Sequence, residues 1–140
     1  MIMTIICADP SPISLLVMRN DVKRLLLDSD VHICRSADSV IRLAEKYGCD
    51  VLITEIDFGR DKGEGLKLAE EIRKLMPNVN IIFATTAPYS EYAALIIQTK
   101  FSGYLTKPYN AEDLRKELQE LRFQGRRNRF SAFKPIVISE

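Results

Sequence analysis

Short apolar runs alternate five times with longer amphipathic segments along this chain. The apolar runs predict buried strands at residues 3–8, 31–34, 51–56, 80–85 and 103–106. The segments after them predict helices, because their apolar residues recur at three- and four-residue spacing. Ser11-Pro12, Ser36 and Asn110 suit the starts of the first, second and last helix. The pattern therefore predicts a strand–helix alternation over most of the chain.

Helical spacing also predicts which side of each helix faces the core. The first helix extends to about residue 27, and the third and fourth cover about residues 65–76 and 90–100. The predicted inward positions are Ile13, Leu16, Val17, Val22, Leu25 and Leu26 in the first helix, Val40, Ile41, Leu43 and Ala44 in the second, Leu68, Ile72, Leu75 and Met76 in the third, and Leu114, Leu118 and Leu121 in the last.

This order of elements predicts the fold class. Strands that alternate with helices favour parallel strand–helix–strand units. Right-handed crossovers place helices on both faces of such a sheet, and near-continuous apolar strands fit burial from both sides. We therefore predict an α/β protein with a doubly wound, five-stranded parallel sheet. Residues 1–123 are assigned to this domain, and residues 124–140 to a basic linker or C-terminal tail.

Composition narrows the class of function. The 140 residues suffice for one domain with one core, and the net charge of +1 gives no overall attraction to nucleic acid or membrane. Cys7, Cys34 and Cys49 have no metal-type spacing, so we expect them to be core residues in a reducing compartment. No apolar run is long enough to span a membrane and no basic segment precedes one, which predicts a cytoplasmic, unanchored protein.

Polar side chains follow four of the predicted strands. The carboxyl ends of parallel strands meet at one edge of a sheet, where binding sites gather beside the point at which strand order reverses. A carboxylate at the end of a buried strand is costly unless another group pairs with it. That edge is predicted to carry acids, hydroxyls and one lysine, from Asp9, Glu55-Ile56-Asp57, Thr85-Thr86 and Thr106-Lys107-Pro108.

At these residues the chain resembles the response-regulator receiver domain, the phosphoacceptor module of two-component signalling. The resemblance covers about residues 4–122, and its most specific parts are "CDVLITEI", "GEGLKLAEEIRKLMPNVNIIFATT" and "SGYLTKPYNAEDLRKELQEL". The last two blocks are closest in style to receivers of LytTR-class transcriptional regulators. The resemblance implies a flavodoxin-like (βα)5 fold and a regulatory role without catalysis.

The resemblance also implies a role for particular positions. Glu55 stands at the phosphoacceptor position, where the family has an aspartate. Thr85 and Lys107 match the hydroxyl and the lysine that contact the phosphoryl group, and Tyr104 matches the aromatic switch residue. Lys107-Pro108 matches the family's cis peptide bond. The positions that correspond to the magnesium site are Asp9, Glu55 and Asp57.

Three departures from the family pattern point to a degenerate receiver. Only one acid, Asp9, follows the first strand, where the family has two. Glu55 replaces the acceptor aspartate, and the loop at 57–64 lacks the usual proline and is longer. Because Mg²⁺ requires near-ideal octahedral oxygen geometry, we expect its site to be weak and vestigial, with no other cofactor. Asp57 is an alternative acceptor, although it lies beyond the end of the strand.

Two interpretations of Glu55 remain open from the sequence. Its carboxylate can pair with Lys107 and accept a hydrogen bond from Thr85, which would partly mimic a phosphoryl group. Alternatively, Glu55 and Lys107 form a structural ion pair in a site that has lost its activity. Rival functions are an active receiver with an unusual site and a flavodoxin-like cofactor binder. The second rival requires a phosphate-cradling loop, and "ADPSPIS" contains no glycine.

We expect the partners to be proteins. By analogy with the family, a homodimer would use the face of the fourth helix, fifth strand and fifth helix, with Glu91, Lys100, Tyr104, Asp113 and Lys116. A histidine kinase is not an expected partner, because the acceptor chemistry is altered. DNA would be reached only through an output domain outside this chain, and no membrane contact is expected.

Overall fold

A computed structural model of the protein describes residues 2–123 and 126–127. The strands are β1 (Thr4–Ala8), β2 (Asp30–Cys34), β3 (Val51–Thr54), β4 (Asn80–Thr85) and β5 (Gly103–Thr106). The helices are α1 (Pro12–Leu25), α2 (Ala37–Tyr47), α3 (Glu64–Leu75), α4 (Tyr89–Gln98) and α5 (Ala111–Gln119). Two short antiparallel strands follow, β6 (Arg122–Phe123) and β7 (Arg126–Arg127). The rest of the predicted tail lies outside the described residues.

The five long strands form one parallel sheet in the order β2-β1-β3-β4-β5. Buried residues of α2, α3 and α4 pack on one face, and those of α1 and α5 on the other. The predicted doubly wound α/β fold is therefore confirmed. Strand order reverses between β1 and β3, where Ala8 lies beside Thr54. Their carboxyl ends bring Asp9 and Glu55 next to each other.

The predicted caps and cysteines are found where the sequence indicated. The side chains of Ser11, Ser36 and Asn110 each accept a hydrogen bond from a backbone amide three residues later. Asn110 and Asp113 bond to each other's backbone amides and form a capping box. The three cysteines are buried and unpaired, as expected of core residues. Within the described part of the chain, no helix is long and apolar enough to cross a membrane.

The predicted inward face of α1 was right for Val22, Leu25 and Leu26 and wrong in the first half of the helix. Ile13, Leu16 and Val17 are 75%, 45% and 52% exposed. Leu15 and Met18 are buried in their place and complete the face with Val22, Leu25 and Leu26. The helix carries two apolar stripes with helical spacing, and its packing against β1 and α5 selects one of them. In α3 the prediction also failed at Leu75, the last residue of the helix, which is 43% exposed.

Other differences are small and lie at the ends of elements, where assignments vary by one or two residues. The third strand ends at Thr54 rather than at residue 56. Beyond it, the carbonyl of Ile56 accepts a hydrogen bond of 2.7 Å from the Gly65 amide at the start of α3. The Glu55 amide still bonds to the Ala8 carbonyl of β1 at 2.9 Å, so the chain turns from the sheet toward α3 directly after Glu55.

Arg73 joins three elements at the opposite end of the sheet. Its guanidinium donates to the carbonyls of Pro77 and Val79 at the entry to β4, at 3.0 and 2.6 Å. It also donates to the carbonyls of Thr99 and Lys100 after α4, the closest at 3.1 Å. Lys100 has a left-handed φ of 57°, so this bond supports a conformation that is unfavourable for lysine. Arg73 thus connects the ends of α3 and α4 to β4.

Arg73→Ala is expected to lower the free energy of unfolding by about 2 kcal/mol, because it leaves several carbonyls without their charged donor. Urea unfolding followed by circular dichroism measures the change. Lys74→Ala is the matched control, since Lys74 is exposed and adjacent, and we expect it to change stability by less than about 0.5 kcal/mol. Equal stability of the two variants would show that the Arg73 bonds do not contribute.

Candidate functional site

Three charged side chains meet at the carboxyl edge of the sheet. Asp9 follows β1 and Glu55 follows β3, and these residues are only 1% and 4% exposed. The ammonium of Lys107, which follows β5, donates to Asp9 Oδ2 and, at 3.2 Å, to Glu55 Oε1. The Lys107–Pro108 peptide is cis, as the resemblance implied. The sequence therefore predicted three side chains that the fold brings into one cluster.

The Glu55 carboxylate is surrounded by donors from the two neighbouring loops. Oε2 accepts the backbone amide of Ile56 at 2.7 Å. Oε1 accepts the backbone amide of Thr86 at 3.4 Å, in addition to Lys107. Backbone amides that converge in this way, together with a lysine, form an anion-binding concavity. These bonds compensate for the burial of the charge.

Asp9 uses both of its carboxylate oxygens within the protein. Oδ1 accepts the Ser11 amide at 2.8 Å, which fixes the turn that leads into α1, and Oδ2 accepts from Lys107. The lysine ammonium thus lies between two carboxylates that are 2% and 5% exposed as side chains. Two buried negative charges share one positive charge, so the cluster carries a net charge of −1.

The carboxylate of Asp57 binds groups outside the cluster of Asp9, Glu55 and Lys107. Its Oδ1 accepts the Gly63 amide and the Tyr92 hydroxyl, each at 2.8 Å, and Lys62 lies 3.8 Å from Oδ2. Burial, and then this hydrogen bond, raise the pKa of Tyr92 to about 12. Asp57 therefore ties the β3–α3 loop to α4 and does not join Asp9 and Glu55.

The implied magnesium set does not fit this arrangement. Across residues 2–123 and 126–127, no three acidic, histidine or cysteine side chains are placed to hold a metal ion together. Mg²⁺ is typically bound through one or two carboxylates with several waters. Here the carboxylates of Asp9 and Glu55 are bonded to Lys107 and to backbone amides, while Asp57 is turned to α4. No chemical step is therefore assigned to a metal.

Thr85 and Tyr104 act on the β4–α4 loop. Thr85 Oγ1 accepts the Ala87 amide at 2.9 Å, and the Tyr104 hydroxyl donates to the Ala87 carbonyl at 2.8 Å. The Tyr104 ring packs edge-on against Tyr89, with centroids 5.3 Å apart. Burial, and then the charge of Glu55, raise the pKa of Tyr104. The predicted bond from Thr85 to Glu55 is replaced by one from the Thr86 amide.

Several contributors to the site carry no signal in the sequence. The amides of Ile56 and Thr86 donate from the backbone, so any residue type other than proline could supply them. Tyr92 could have been suspected only from its place on the fourth helix. Ala87 accepts from Tyr104 and donates to Thr85 through backbone atoms alone. Side chains at strand ends were predictable, whereas loop backbone positions were not.

Comparisons with known proteins agree with this architecture. The family model of the response regulator receiver domain matches residues 5–119. Sensory transduction protein LytT of Oceanobacillus iheyensis is 24% identical over 98 residues, which are 68% of this chain and 39% of LytT. The probable C4-dicarboxylate response regulator DctR of Bacillus subtilis is 28% identical over 93 residues, 64% of this chain and 40% of DctR. The chain therefore spans about two-fifths of the length of these relatives.

Solved structures agree as well. A response regulator receiver domain protein (CheY-like) from Methanospirillum hungatei superposes with a TM-score of 0.77 at 22% identity, covering 86% of this chain and 93% of that chain. The isolated receiver domain of RcsB from Salmonella enterica serovar Typhimurium, solved with a phosphomimetic, has a TM-score of 0.72 at 26% identity, covering 83% and 85%. The same sheet and five helices are thus shared at low identity.

Proposed function

Because this chain belongs to the response regulator receiver domain family, we propose that it is an atypical receiver whose output does not depend on phosphorylation. It acts as a signalling or transcription-regulatory interaction module and has no catalytic activity of its own. Glu55 occupies the phosphoacceptor position and partly replaces the phosphoryl group. The observation that carries this proposal is the set of donors around the Glu55 carboxylate.

Those donors are the ones that a phosphoryl group on residue 55 would use. A phosphoryl group attached to the carboxylate at the end of β3 would extend toward the amides of the β3–α3 and β4–α4 loops and toward the Lys107 ammonium. Glutamate is one methylene longer than aspartate, and its carboxylate already contacts Ile56, Thr86 and Lys107. A phosphoryl group carries about −1.5 to −2 charge at neutral pH, so a single carboxylate replaces it only in part.

The same contacts disfavour phosphorylation. Phosphoryl transfer depends on an in-line geometry and on neutralised charge around the transferred group. Both Glu55 oxygens already accept hydrogen bonds, and Asp9 is bound by Lys107 and the Ser11 amide. A phosphoryl group would have to displace these bonds, so a histidine kinase is not a partner under this proposal.

The partners are proteins, including a second copy of the chain. Glu91, Lys100, Asp113 and Lys116 are exposed on α4 and α5 or directly after α4, and Tyr104 is half-buried beside them on β5. This mixture of charges suits self-complementary contact. DegU of Brevibacillus brevis, also similar to this chain, is named a transcriptional regulatory protein. Any contact with DNA would be made by an output domain outside the described domain, and the site of action is the cytoplasm.

The experiment is an amide-resolved NMR titration with Mg²⁺ and then beryllofluoride. We expect no clustered shifts at Asp9, Glu55, Thr85 and Lys107 in the wild type. Shifts centred there that spread to Tyr104 with beryllofluoride would overturn the proposal in favour of an active receiver. Glu55→Asp is the matched variant, because it restores the family's acceptor and tests whether glutamate alone blocks the response.

A second measurement separates the phosphoryl mimic from an inert ion pair. Sedimentation equilibrium of the wild type and Glu55→Gln gives the dissociation constant of the homodimer. If Glu55 holds the active arrangement, removing its charge is expected to weaken the dimer about fivefold or more. An unchanged constant in a folded Glu55→Gln protein would refute the mimic and leave a structural pair.

A further inference from the structure

A separate groove opens between the carboxyl end of β2 and α2, and we call it the β2–α2 groove. Its volume is about 470 Å³, within the range of roughly 300–1,000 Å³ that is usual for small-molecule sites. Ile33 and Leu43 supply apolar surface, and Arg35, Arg42 and Lys46 line it with positive charge. Among the described residues, none that lines it is acidic. The groove therefore has apolar as well as charged surface, and the charged side chains that line it are all positive.

The three cations of the groove form no close ion pair within the described part of the protein. Among those residues, neither Arg35, Arg42 nor Lys46 lies within ion-pair distance of a carboxylate, although Arg24, Lys62, Lys107 and Arg115 do. Like charges that converge on one concavity repel each other and raise the local concentration of anions. An anion in the β2–α2 groove would relieve this repulsion.

Both arginines are oriented by a neutral hydrogen bond and keep donors for a ligand. Arg35 Nε donates to the Pro10 carbonyl at 3.2 Å, and Arg42 donates to Ser39 Oγ at 3.2 Å. Each guanidinium has five N–H donors, so most of them remain available for the two-point contact that suits a phosphate. Lys46 lies over the Tyr47 ring, 5.0 Å from its centroid. Each of the three cations therefore has a neutral contact that helps to position it.

We propose that the β2–α2 groove binds a small organic phosphate. Arg35, Arg42 and Lys46 hold the phosphate group, and the organic body lies on Ile33 and Leu43. This site does not rest on the function proposed above, because it shares no residue with the Glu55 cluster. Arg35 does link the two regions, since Pro10 follows Asp9 directly. A ligand that draws Arg35 away from Pro10 would change the surroundings of the neighbouring Ser11 amide, which bonds to Asp9.

The test is an NMR titration of the whole chain with adenosine monophosphate at low ionic strength, with adenosine as the phosphate-free control. We expect saturable amide shifts within residues 33–46 and at Ser11 with the monophosphate only. Arg42→Gln/Lys46→Gln is expected to weaken binding about tenfold or more. Lys67→Gln/Lys74→Gln makes the same change in charge at exposed positions on α3 and is expected to leave binding unchanged.

Any one of the following outcomes would overturn the site. The monophosphate could give no saturable shifts, adenosine could bind equally well, or the two double variants could weaken binding equally. The last result would indicate general attraction to a positive surface rather than a groove. Shifts in the groove with a phosphopeptide and none with the monophosphate would likewise reject a small-molecule site.

Discussion

Gly65→Ala is expected to destabilise the protein by about 3 kcal/mol or more, at or beyond the upper end of overpacking effects. A Cβ atom at Gly65 would lie 1.9 Å from the Glu55 carbonyl oxygen and 2.8 Å from the Ile56 Cα. Both contacts are with backbone, which cannot rotate away as a side chain can. The Gly65 amide also donates to the Ile56 carbonyl at 2.7 Å, so α3 cannot retreat without losing this bond.

Urea unfolding measures this effect, and Gly59→Ala is its control. Gly59 has a left-handed φ of 62°, but apart from Gly59 itself and its two chain neighbours, no heavy atom of the described residues lies within 4 Å of the position that a Cβ would take. Alanine at this position is therefore expected to cost roughly 1 kcal/mol. The comparison separates the stability lost through lack of space at Gly65 from the stability lost through an unfavourable backbone conformation at Gly59. If Gly65→Ala were as stable as Gly59→Ala, the close approach of α3 to β3 would not be a constraint on this fold.

Lys107→Met is expected to lower the free energy of unfolding by about 3–5 kcal/mol. The substitution keeps an unbranched apolar side chain but removes the only ammonium between Asp9 and Glu55 in the described chain. Two carboxylates that are 2% and 5% exposed would then be buried without a counter-charge. Leaving buried charges unpaired costs more than the ion pair contributes.

The triple variant Asp9→Asn, Glu55→Gln, Lys107→Met is the informative partner of this experiment. Neutral amides keep acceptors for the Ser11 and Ile56 amides but carry no charge, so about half or more of the lost stability is expected to return. Urea midpoints of the single and triple variants give the comparison. A triple variant as unstable as Lys107→Met would mean that packing of Lys107, rather than charge, holds the site.

The two predictions concern one structural unit. Gly65 brings the start of α3 against the backbone of Glu55, which fixes the strand end from which that carboxylate extends. Lys107 then fixes the carboxylate itself together with Asp9. Under the proposed function, this rigidity holds the site in one arrangement without a phosphoryl group. The unit therefore depends both on the absence of a side chain at Gly65 and on the positive charge of Lys107.

Much of the fold could be predicted because hydrophobic periodicity is a local property. The runs at β1, β3 and β4 are buried at nearly every position, as expected of strands covered on both sides. Helix α1 marks where this method fails, because Ile13, Leu16 and Val17 form a stripe as regular as the buried one. Which stripe faces the sheet depends on how the chain leaves β1, and spacing within the helix does not contain that information.

For the candidate site, the sequence by itself placed the side chains that meet at one edge of the sheet, together with Asp57, which does not join them. Asp9, Glu55 and Lys107 follow parallel strands, and parallel strands deliver their carboxyl ends to one edge. Only the tertiary structure decided how their charges are satisfied. The amides of Ile56 and Thr86 bind Glu55 and Asp57 turns to Tyr92, because loop geometry and the placement of α4 arise from packing between distant segments.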